Sequence, residues 1–214
     1  MLSFLNNFAN METMIIFLIA ILIMSVVIHE VAHGYAALYQ GDVTAKYAGR
    51  LTLNPIKHID LFGSIIIPAL FILLNTGVVL GWAKPVPYNP YNLRNRRWGE
   101  LIIAAAGPLS NFAIAFIFGM LIRFSSVLNL PSSIVEISLL VVSLNLVLAL
   151  FNLIPIPPLD GSKILFALLP PEKSLQFRAS FERYGFLLIL VIVFFAWQIL
   201  FPIIRFLTYL FTGI

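Results

Sequence analysis

The first apolar run of the chain ends in Val27-Ile28-His29-Glu30-Val31-Ala32-His33-Gly34. This stretch contains the pattern H-E-x-x-H. Residues four apart on an α-helix lie about 40° apart around the axis and about 6 Å apart along it, so both imidazoles can bind one metal ion. Glu30 lies beside them and is free to act as a base. Zinc suits two imidazoles and one carboxylate, with a fourth position left for water. The alternative is a helix end with solvated polar residues.

The composition of the chain is that of a polytopic membrane protein. Of its 214 residues, 61% are hydrophobic and only 10% are charged, and the mean hydropathy is +1.01. Soluble domains carry about 25% charged residues. Cysteine is absent, which excludes disulfides and thiolate metal sites, so a metal ion must be bound by His, Asp or Glu.

Five apolar stretches approach the roughly 20 residues that a helix needs to cross a bilayer. They are Glu12–Tyr39, Leu61–Trp82, Trp98–Phe124, Ser132–Ile154 and Tyr184–Phe211. The second differs from the others because it contains Pro68 and an Asn75-Thr76-Gly77 break.

The positive charges predict how these stretches are oriented. Lys and Arg residues concentrate in segments 41–58, 83–97 and 161–183, and cytoplasmic loops carry such an excess. The stretch Leu61–Trp82 lies between two of these segments, so we expect it to enter and leave on the same side, as a re-entrant or interfacial element. The alternative is a fifth plain spanning helix. Both termini are expected outside.

The predicted fold is therefore an all-α polytopic membrane protein with about four spanning helices and one re-entrant element. Tyr47–Asn54 has strand-like composition and predicts a small membrane-associated β element. We expect residues 1–214 to form a single integral-membrane domain, with a core over about 12–170 and a C-terminal span over about 184–211.

A third metal ligand is expected from an Asp or Glu outside the first span, and Asp160 is the best candidate. It follows the fourth span in the stretch 151–161, where Pro155, Pro157 and Pro158 break the helix. Irregular backbone at membrane depth is tolerated where it is packed in protein or lines a watery cavity. The alternative is a plain Asp-Gly turn. In the predicted topology Asp160 and the two histidines lie near the same membrane face.

The chain resembles the site-2 protease family of intramembrane zinc metalloproteases. The resemblance rests on His29-Glu30-x-x-His33 and on Asn152-x-x-Pro155-x-Pro157-x-x-Asp160-Gly161, and it covers about residues 25–170. It extends through Gly49-Arg50-Leu51-Thr52-Leu53-Asn54-Pro55, Gly81-Trp82-Ala83-Lys84-Pro85-Val86-Pro87 and Gly107-Pro108-Leu109-Ser110-Asn111. The chain is most similar to the short branch of the family, without PDZ or CBS domains.

The resemblance implies one zinc ion per chain, bound by His29, His33 and Asp160, with Glu30 as the catalytic base. It also implies cleavage of membrane-protein substrates within their transmembrane segments. We expect an integral protein of a prokaryotic plasma membrane, with the active site toward the cytoplasm. Two competing interpretations are a transporter or metal-handling channel and an inactive scaffold of the same fold.

Other polar residues suggest supporting roles. Asn152 could cap the broken helix or bind a substrate backbone, and Asn111 could hydrogen-bond across helices or near the site. His58 and Asp60 could form a second metal site or, alternatively, a helix N-terminal cap. The arginines of segment 94–97 are expected to anchor the topology, and no nucleic-acid partner is expected.

The predicted strand Tyr47–Asn54 suggests a way to bind substrate. A helical substrate has to unwind before it can be cut, and an exposed strand edge could pair with the unwound chain by β-augmentation. The alternative is that Tyr47–Asn54 is only a connector.

Overall fold

The computed structural model describes residues 11–74 and 81–214. All regular structure in these two ranges is helical, so the predicted all-α class is confirmed for them. The α-helices are α1 (Met11–Tyr39), α2 (Thr44–Tyr47), α3 (Ile67–Leu73), α4 (Arg96–Arg123), α5 (Ser132–Asn152), α6 (Asp160–Leu168) and α7 (Pro171–Thr212). The connections contain two short 3-10 turns, Pro55–His58 and Pro90–Asn92, and a π-helix, Leu61–Ile66.

Three helices are long and apolar enough to cross a membrane. They are Ile15–Tyr39 of α1, the whole of α4 and the whole of α5, and they coincide with the first, third and fourth predicted stretches. The chain is therefore an integral membrane protein. The last predicted stretch, Tyr184–Phe211, lies inside the 42-residue helix α7.

Helix α4 is the centre of the bundle. It packs against α1, α5, α6 and α7. One apolar core is formed by small and medium side chains of three helices, namely Ala115, Ile122, Val142, Leu146 and Ile204. Because α4 contacts both α1 and α6, it can bring the histidine pair and Asp160 to one place.

Arginines fasten both ends of α4 to other helices. At its start, Arg97 donates hydrogen bonds to the carbonyls of 167–169, at the end of α6. At its other end, Arg123 donates to the carbonyls of Leu210 and Phe211, at the end of α7. The last carbonyls of a helix have no partner within the helix, and a cation is favourable there. Since only two residues, Leu169 and Pro170, separate α6 from α7, α4 and α7 run in the same direction.

The two ends of the stretch Leu61–Trp82 are hydrogen-bonded to each other. The amide of Trp82 donates to the carbonyl of Gly63 at 3.0 Å, and the Ser64 hydroxyl donates to the carbonyl of Trp82 at 2.9 Å. A Cβ at Gly63 would overlap the Trp82 indole, so glycine permits this contact. The Asn75-Thr76-Gly77 break lies outside the described residues. The two ends of the stretch nevertheless lie side by side.

The strand predicted over Tyr47–Asn54 is not found in the described residues, and that prediction was wrong for this segment. The chain here completes α2, turns at Gly49 with φ 63° and continues as bends. The Asp42 carboxylate accepts hydrogen bonds from the Thr44 amide at 3.1 Å and the Thr44 hydroxyl at 2.6 Å. Such local bonds to the backbone compete with extended structure, and here they start a helical turn.

Candidate metal centre

The histidine pair and Asp160 converge on one point between α1 and α6. Nε2 of His29 and Nε2 of His33 lie 3.1 Å and 3.0 Å from the same atom, Oδ2 of Asp160. One ligand atom from each of the three residues lies within 4.8 Å of the other two. All three side chains are buried. This is the arrangement of three groups that could hold a single metal ion.

The irregular segment 153–159, which follows α5, positions Asp160. Residues 153–159 form successive turns, and α6 begins at Asp160 itself. The next residue must be glycine, because a Cβ at Gly161 would overlap the carbonyls of Leu153 and Ile154. The prolines therefore end α5 early, and the close contact at Gly161 turns the Asp160 carboxylate back toward α1.

The fit of a metal ion is supported by Gly107 of α4. A Cβ at Gly107 would lie 2.5 Å from Nε2 of both His29 and His33. Because Gly107 has no side chain, the space in front of the two Nε2 atoms stays open. Two imidazole nitrogens and one carboxylate oxygen are a donor set that zinc prefers. The residues present therefore fit a zinc ion.

The outer nitrogen of each imidazole has its own buried partner. Nδ1 of His33 donates to the carbonyl of Ile103 at 2.6 Å. Nδ1 of His29 lies 2.6 Å from Oδ1 of Asn111. Metal-binding histidines usually donate this second N–H to a carboxylate, a backbone carbonyl or water, which orients the ring; at His29 the Asn111 carboxamide oxygen takes that place. Both Nε2 atoms are therefore free to face the ion.

Glu30 lies beside the ligands but is held by a different element. Its Oε2 accepts a hydrogen bond from the amide of Val86 at 2.8 Å. The loop that contains Val86 is anchored in turn by Arg50, which donates to the carbonyls of Lys84 and Pro85. One carboxylate oxygen of Glu30 is thus fixed by the backbone, and the residue lines the same cavity as the three metal-binding candidates.

Lys163 completes the surroundings of Asp160. Its ammonium lies 3.1 Å from Oδ1 of Asp160, one turn along α6. Asp160 therefore has one oxygen facing the histidines and the other facing Lys163.

A cavity of about 650 Å³ opens onto these groups. Its polar wall is formed by His29, Glu30, His33, Asn152, Asp160 and Lys163. Apolar side chains such as Trp82, Leu148 and Phe151 form much of the remainder. An apolar cavity with a few convergent polar groups is typical of a substrate site.

The two candidate asparagines lie in different places. Asn152 lines the cavity and donates to the carbonyl of Leu148 at 2.9 Å. Asn111 is fully buried behind His29. Sequence reasoning missed Lys163 and the Val86 amide. The spacing of Lys163 from Asp160, three residues apart on a helix, was a readable signal, whereas the Val86 contact joins residues far apart in sequence.

His58 and Asp60 form no second cluster of metal ligands in the described parts of the chain. Asp60 instead caps the π-helix, with its carboxylate accepting from the Gly63 amide at 2.7 Å. His58 is buried and its Nε2 lies 2.9 Å from the carbonyl of Thr52. Of the two alternatives, the structure agrees with the cap.

Comparison with known proteins gives consistent matches. The profile of Peptidase family M50 matches residues 17–140 and 128–196. "Putative zinc metalloprotease YwhC" of Bacillus subtilis (strain 168) is 43% identical over 188 residues, which cover 82% of this chain and 79% of that protein. Rip2 of Mycolicibacterium smegmatis carries the same description and is 32% identical over 181 residues, covering 83% of this chain and 66% of that protein.

An archaeal relative extends the comparison. "Zinc metalloprotease MJ0392" of Methanocaldococcus jannaschii is 30% identical over 169 residues, covering 78% of this chain but only 38% of that protein. No solved structure matches the chain significantly. The family match covers both the histidine pair and Asp160. The chain therefore belongs to Peptidase family M50, the site-2 protease family of zinc metalloproteases.

Proposed function

We propose that the protein is an intramembrane zinc endopeptidase that cuts membrane-protein substrates in or near their transmembrane segments. The observation that carries this proposal is the convergence of His29, His33 and Asp160 in the same cavity as Glu30. An ion transporter or an inactive scaffold would not require a carboxylate held beside the ligand cluster by a backbone amide. No observation favours either of those alternatives.

The proposed chemistry assigns a role to each residue. His29, His33 and Asp160 would hold one zinc ion, which when bound supplies Lewis acidity toward water and toward the scissile carbonyl. Glu30 accepts a proton from the attacking water as its oxygen bonds to the carbonyl carbon. The same carboxylic acid then gives that proton to the leaving nitrogen as the C–N bond breaks. The Val86 amide keeps Glu30 in place during both transfers.

Asn152 and Lys163 are proposed to support this chemistry from the cavity wall. Asn152 faces the space where an unwound substrate backbone would lie. Lys163 holds Oδ1 of Asp160, which leaves Oδ2 as the ligand atom. Asn111 acts behind the site, through its contact with His29.

Four spans are proposed, with α7 as the fourth. The support is the pair of arginine contacts that join α4 to its neighbours at both ends, since α7 then covers the same distance as the spanning helix α4. The contact between Gly63 and Trp82 supports a re-entrant stretch 61–82. We further propose one domain over residues 1–214.

The proposed location is a prokaryotic plasma membrane, with the site toward the cytoplasm. The loops of segments 41–58, 83–97 and 161–183 carry most of the Lys and Arg residues, and cytoplasmic loops carry this excess. The cavity is lined from two of these segments, through Val86 and Lys163. The cavity would then receive water from the cytoplasm and substrate from the bilayer.

The test is Glu30→Gln in purified protein, with a transmembrane substrate in detergent or vesicles. The amide keeps the shape of the side chain but cannot accept the proton. We expect the cleavage rate to fall about 10²- to 10⁴-fold, the range for a general base, while the zinc content stays unchanged. Cleavage at the wild-type rate would remove Glu30 from the base role, and an absence of zinc in the wild-type protein would refute the proposed metal centre.

A further inference from the structure

A chain of buried hydrogen bonds runs behind the metal centre and joins three long helices. It contains Ser25 of α1, Asn111 of α4 and Asn145 of α5, which are 3%, 0% and 0% exposed. Asn111 donates to Oδ1 of Asn145 at 2.8 Å, and Asn145 donates to the Ser25 hydroxyl at 3.0 Å. At the other end, Oδ1 of Asn111 lies 2.6 Å from Nδ1 of His29. Nothing in the proposed reaction uses Asn145 or Ser25 directly.

The two histidines differ in how their rings are held. Nδ1 of His33 faces the carbonyl of Ile103, and a backbone carbonyl can only accept a hydrogen bond. His33 therefore carries its proton on Nδ1. Nδ1 of His29 faces a carboxamide instead, and a carboxamide offers an acceptor on one side and a donor on the other. The tautomer of His29 depends on which way the Asn111 amide points.

Asn145 fixes the direction of the Asn111 amide. One N–H of Asn145 donates to the carbonyl of Val141 at 2.9 Å. The side-chain nitrogen of Asn145 therefore has to face Val141. The oxygen of Asn145 must then face Asn111 and can only accept. Asn111 therefore presents its nitrogen to Asn145 and its oxygen to His29. The second N–H of Asn111 points toward the carbonyl of Ser25 at 3.5 Å, which agrees with this direction.

We infer that Asn145 is a positioning residue for the metal centre, acting through Asn111 to fix His29 as the Nδ1–H tautomer. With that tautomer the lone pair of Nε2 faces Asp160 and Gly107, where the metal ion would lie. If the Asn111 amide reversed, its N–H would face Nδ1, and the proton would be driven to Nε2. A protonated Nε2 cannot bind a metal ion. This inference rests on the proposed metal centre.

The fixed direction comes from the bundle itself. Val141 is on α5, so the carbonyl that anchors the network is part of a spanning helix rather than a loop. All members of the network are buried, so bulk water does not compete for these hydrogen bonds. The orientation of a ligand on α1 is thus set by the packing of α4 and α5 against it.

The experiment compares four variants by zinc affinity, measured by chelator competition on full-length protein in detergent. Asn145→Leu removes the anchor without touching a ligand, and Asn111→Leu removes the direct partner. Asn111→Asp keeps an oxygen toward His29, in the carboxylate–histidine pairing common at zinc sites. Ser138→Ala is the matched control, because Ser138 is also buried on α5 but takes no part in these bonds.

We expect affinity losses of roughly 10- to 100-fold for Asn111→Leu and about 10-fold for Asn145→Leu, the range for partners of metal ligands. Asn111→Asp should lose less affinity than Asn111→Leu, because it still presents an oxygen to His29, and Ser138→Ala should be unchanged. If Asn145→Leu does not fold, Asn145→Ala gives the same comparison, since it also removes the oxygen that accepts the hydrogen bond from Asn111. Wild-type zinc affinity in the folded Asn145 variant would overturn the inference while leaving the metal centre itself intact.

A second readout is independent of affinity and of activity. The chain has only three histidines, so ¹⁵N-histidine labelling of the zinc-loaded protein resolves each ring. The Nδ1–H resonance of His29 should shift, or exchange faster with water, in the Asn145 variant. That of His33 should not, because its partner is the Ile103 carbonyl. Equal behaviour of the two rings would contradict the inference.

Discussion

Replacing Gly107 by Ala should block the metal centre without replacing any of the proposed ligands. The new Cβ would lie 2.5 Å from Nε2 of both His29 and His33. To regain an ordinary contact of about 3.4 Å, each nitrogen would have to retreat by about 0.9 Å. Metal sites tolerate deviations of only about 0.2 Å in ligand distance. The two nitrogens therefore could not ligate one ion in their present positions.

The expected loss of zinc affinity in Gly107→Ala is at least about 100-fold, which corresponds to about 2.8 kcal/mol. The cleavage rate should fall at least as far, since a displacement of about 1 Å at a reacting centre costs about 10² in rate. Alanine is the better helix former by up to about 1 kcal/mol, so a weakened α4 would not explain the loss. Zinc content by elemental analysis and cleavage of a transmembrane substrate measure the two effects.

Gly99→Ala is the matched control for this substitution. It makes the same change on the same helix, but its Cβ would meet only the side chain of Leu93, at 3.1 Å and beyond. We expect zinc content and cleavage close to those of the wild type. A Gly107→Ala protein that binds zinc stoichiometrically and cleaves normally would show that the ion does not lie between the two histidines and α4.

Three further perturbations test other parts of the site. Lys163→Met should lower zinc affinity about 10-fold, because Oδ1 of Asp160 loses its partner; chelator competition measures this. Arg50→Met should release the loop that holds Glu30, so the cleavage rate should fall while the zinc content stays unchanged. Loss of the buried hydrogen bonds of Arg50 should also lower the free energy of unfolding by about 1–3 kcal/mol. Burial acts to raise the pKa of Asp42, but hydrogen bonds from Thr44 and its other partners outweigh it and lower that pKa. The stabilisation from Asp42 is therefore present above its unfolded pKa and is lost as the pH falls through the folded value, so Asp42→Asn should destabilise the protein at pH 7 but progressively less below pH 4.

These predictions have controls on the same surfaces. Lys57 and Arg94 are exposed, so Lys57→Met and Arg94→Met remove equivalent charges near the loops without removing a contact to Asp160 or to the carbonyl of Lys84. Equal effects of the control and test variants would mean that net charge, rather than the specific contacts, is responsible. A stability difference for Asp42→Asn that did not change with pH would contradict the assigned pKa direction.

The parts of the fold that sequence reasoning predicted depend on local pattern. The lengths of the apolar stretches predicted the ends of α1, α4 and α5 to within about two residues, which is the usual uncertainty of helix boundaries. Helical spacing predicted that His29 and His33 share a face, and the proline-broken segment indicated Asp160. The structure brings these three together, because α4 packs on both α1 and α6.

What the sequence did not predict are contacts between residues distant in the chain. The Val86 amide reaches Glu30 across 56 positions, and no periodicity marks such a pair. The strand over Tyr47–Asn54 was predicted from β-propensity. This propensity describes how well side chains pack on a half-buried sheet, and it does not by itself determine the backbone conformation. In the folded chain the Asp42 carboxylate organises the segment just before it as a helical turn instead.

The arginine contacts at the two ends of α4 have a mechanical consequence. A sliding motion between α4 and α7 by even one residue, about 1.5 Å of helix rise, would pull Arg123 away from the carbonyls of Leu210 and Phe211. Arg97 opposes the same motion from the start of the helix, through the end of α6 that leads into α7. Any widening of the bundle between α4 and α7 therefore has to break the hydrogen bonds of both arginines.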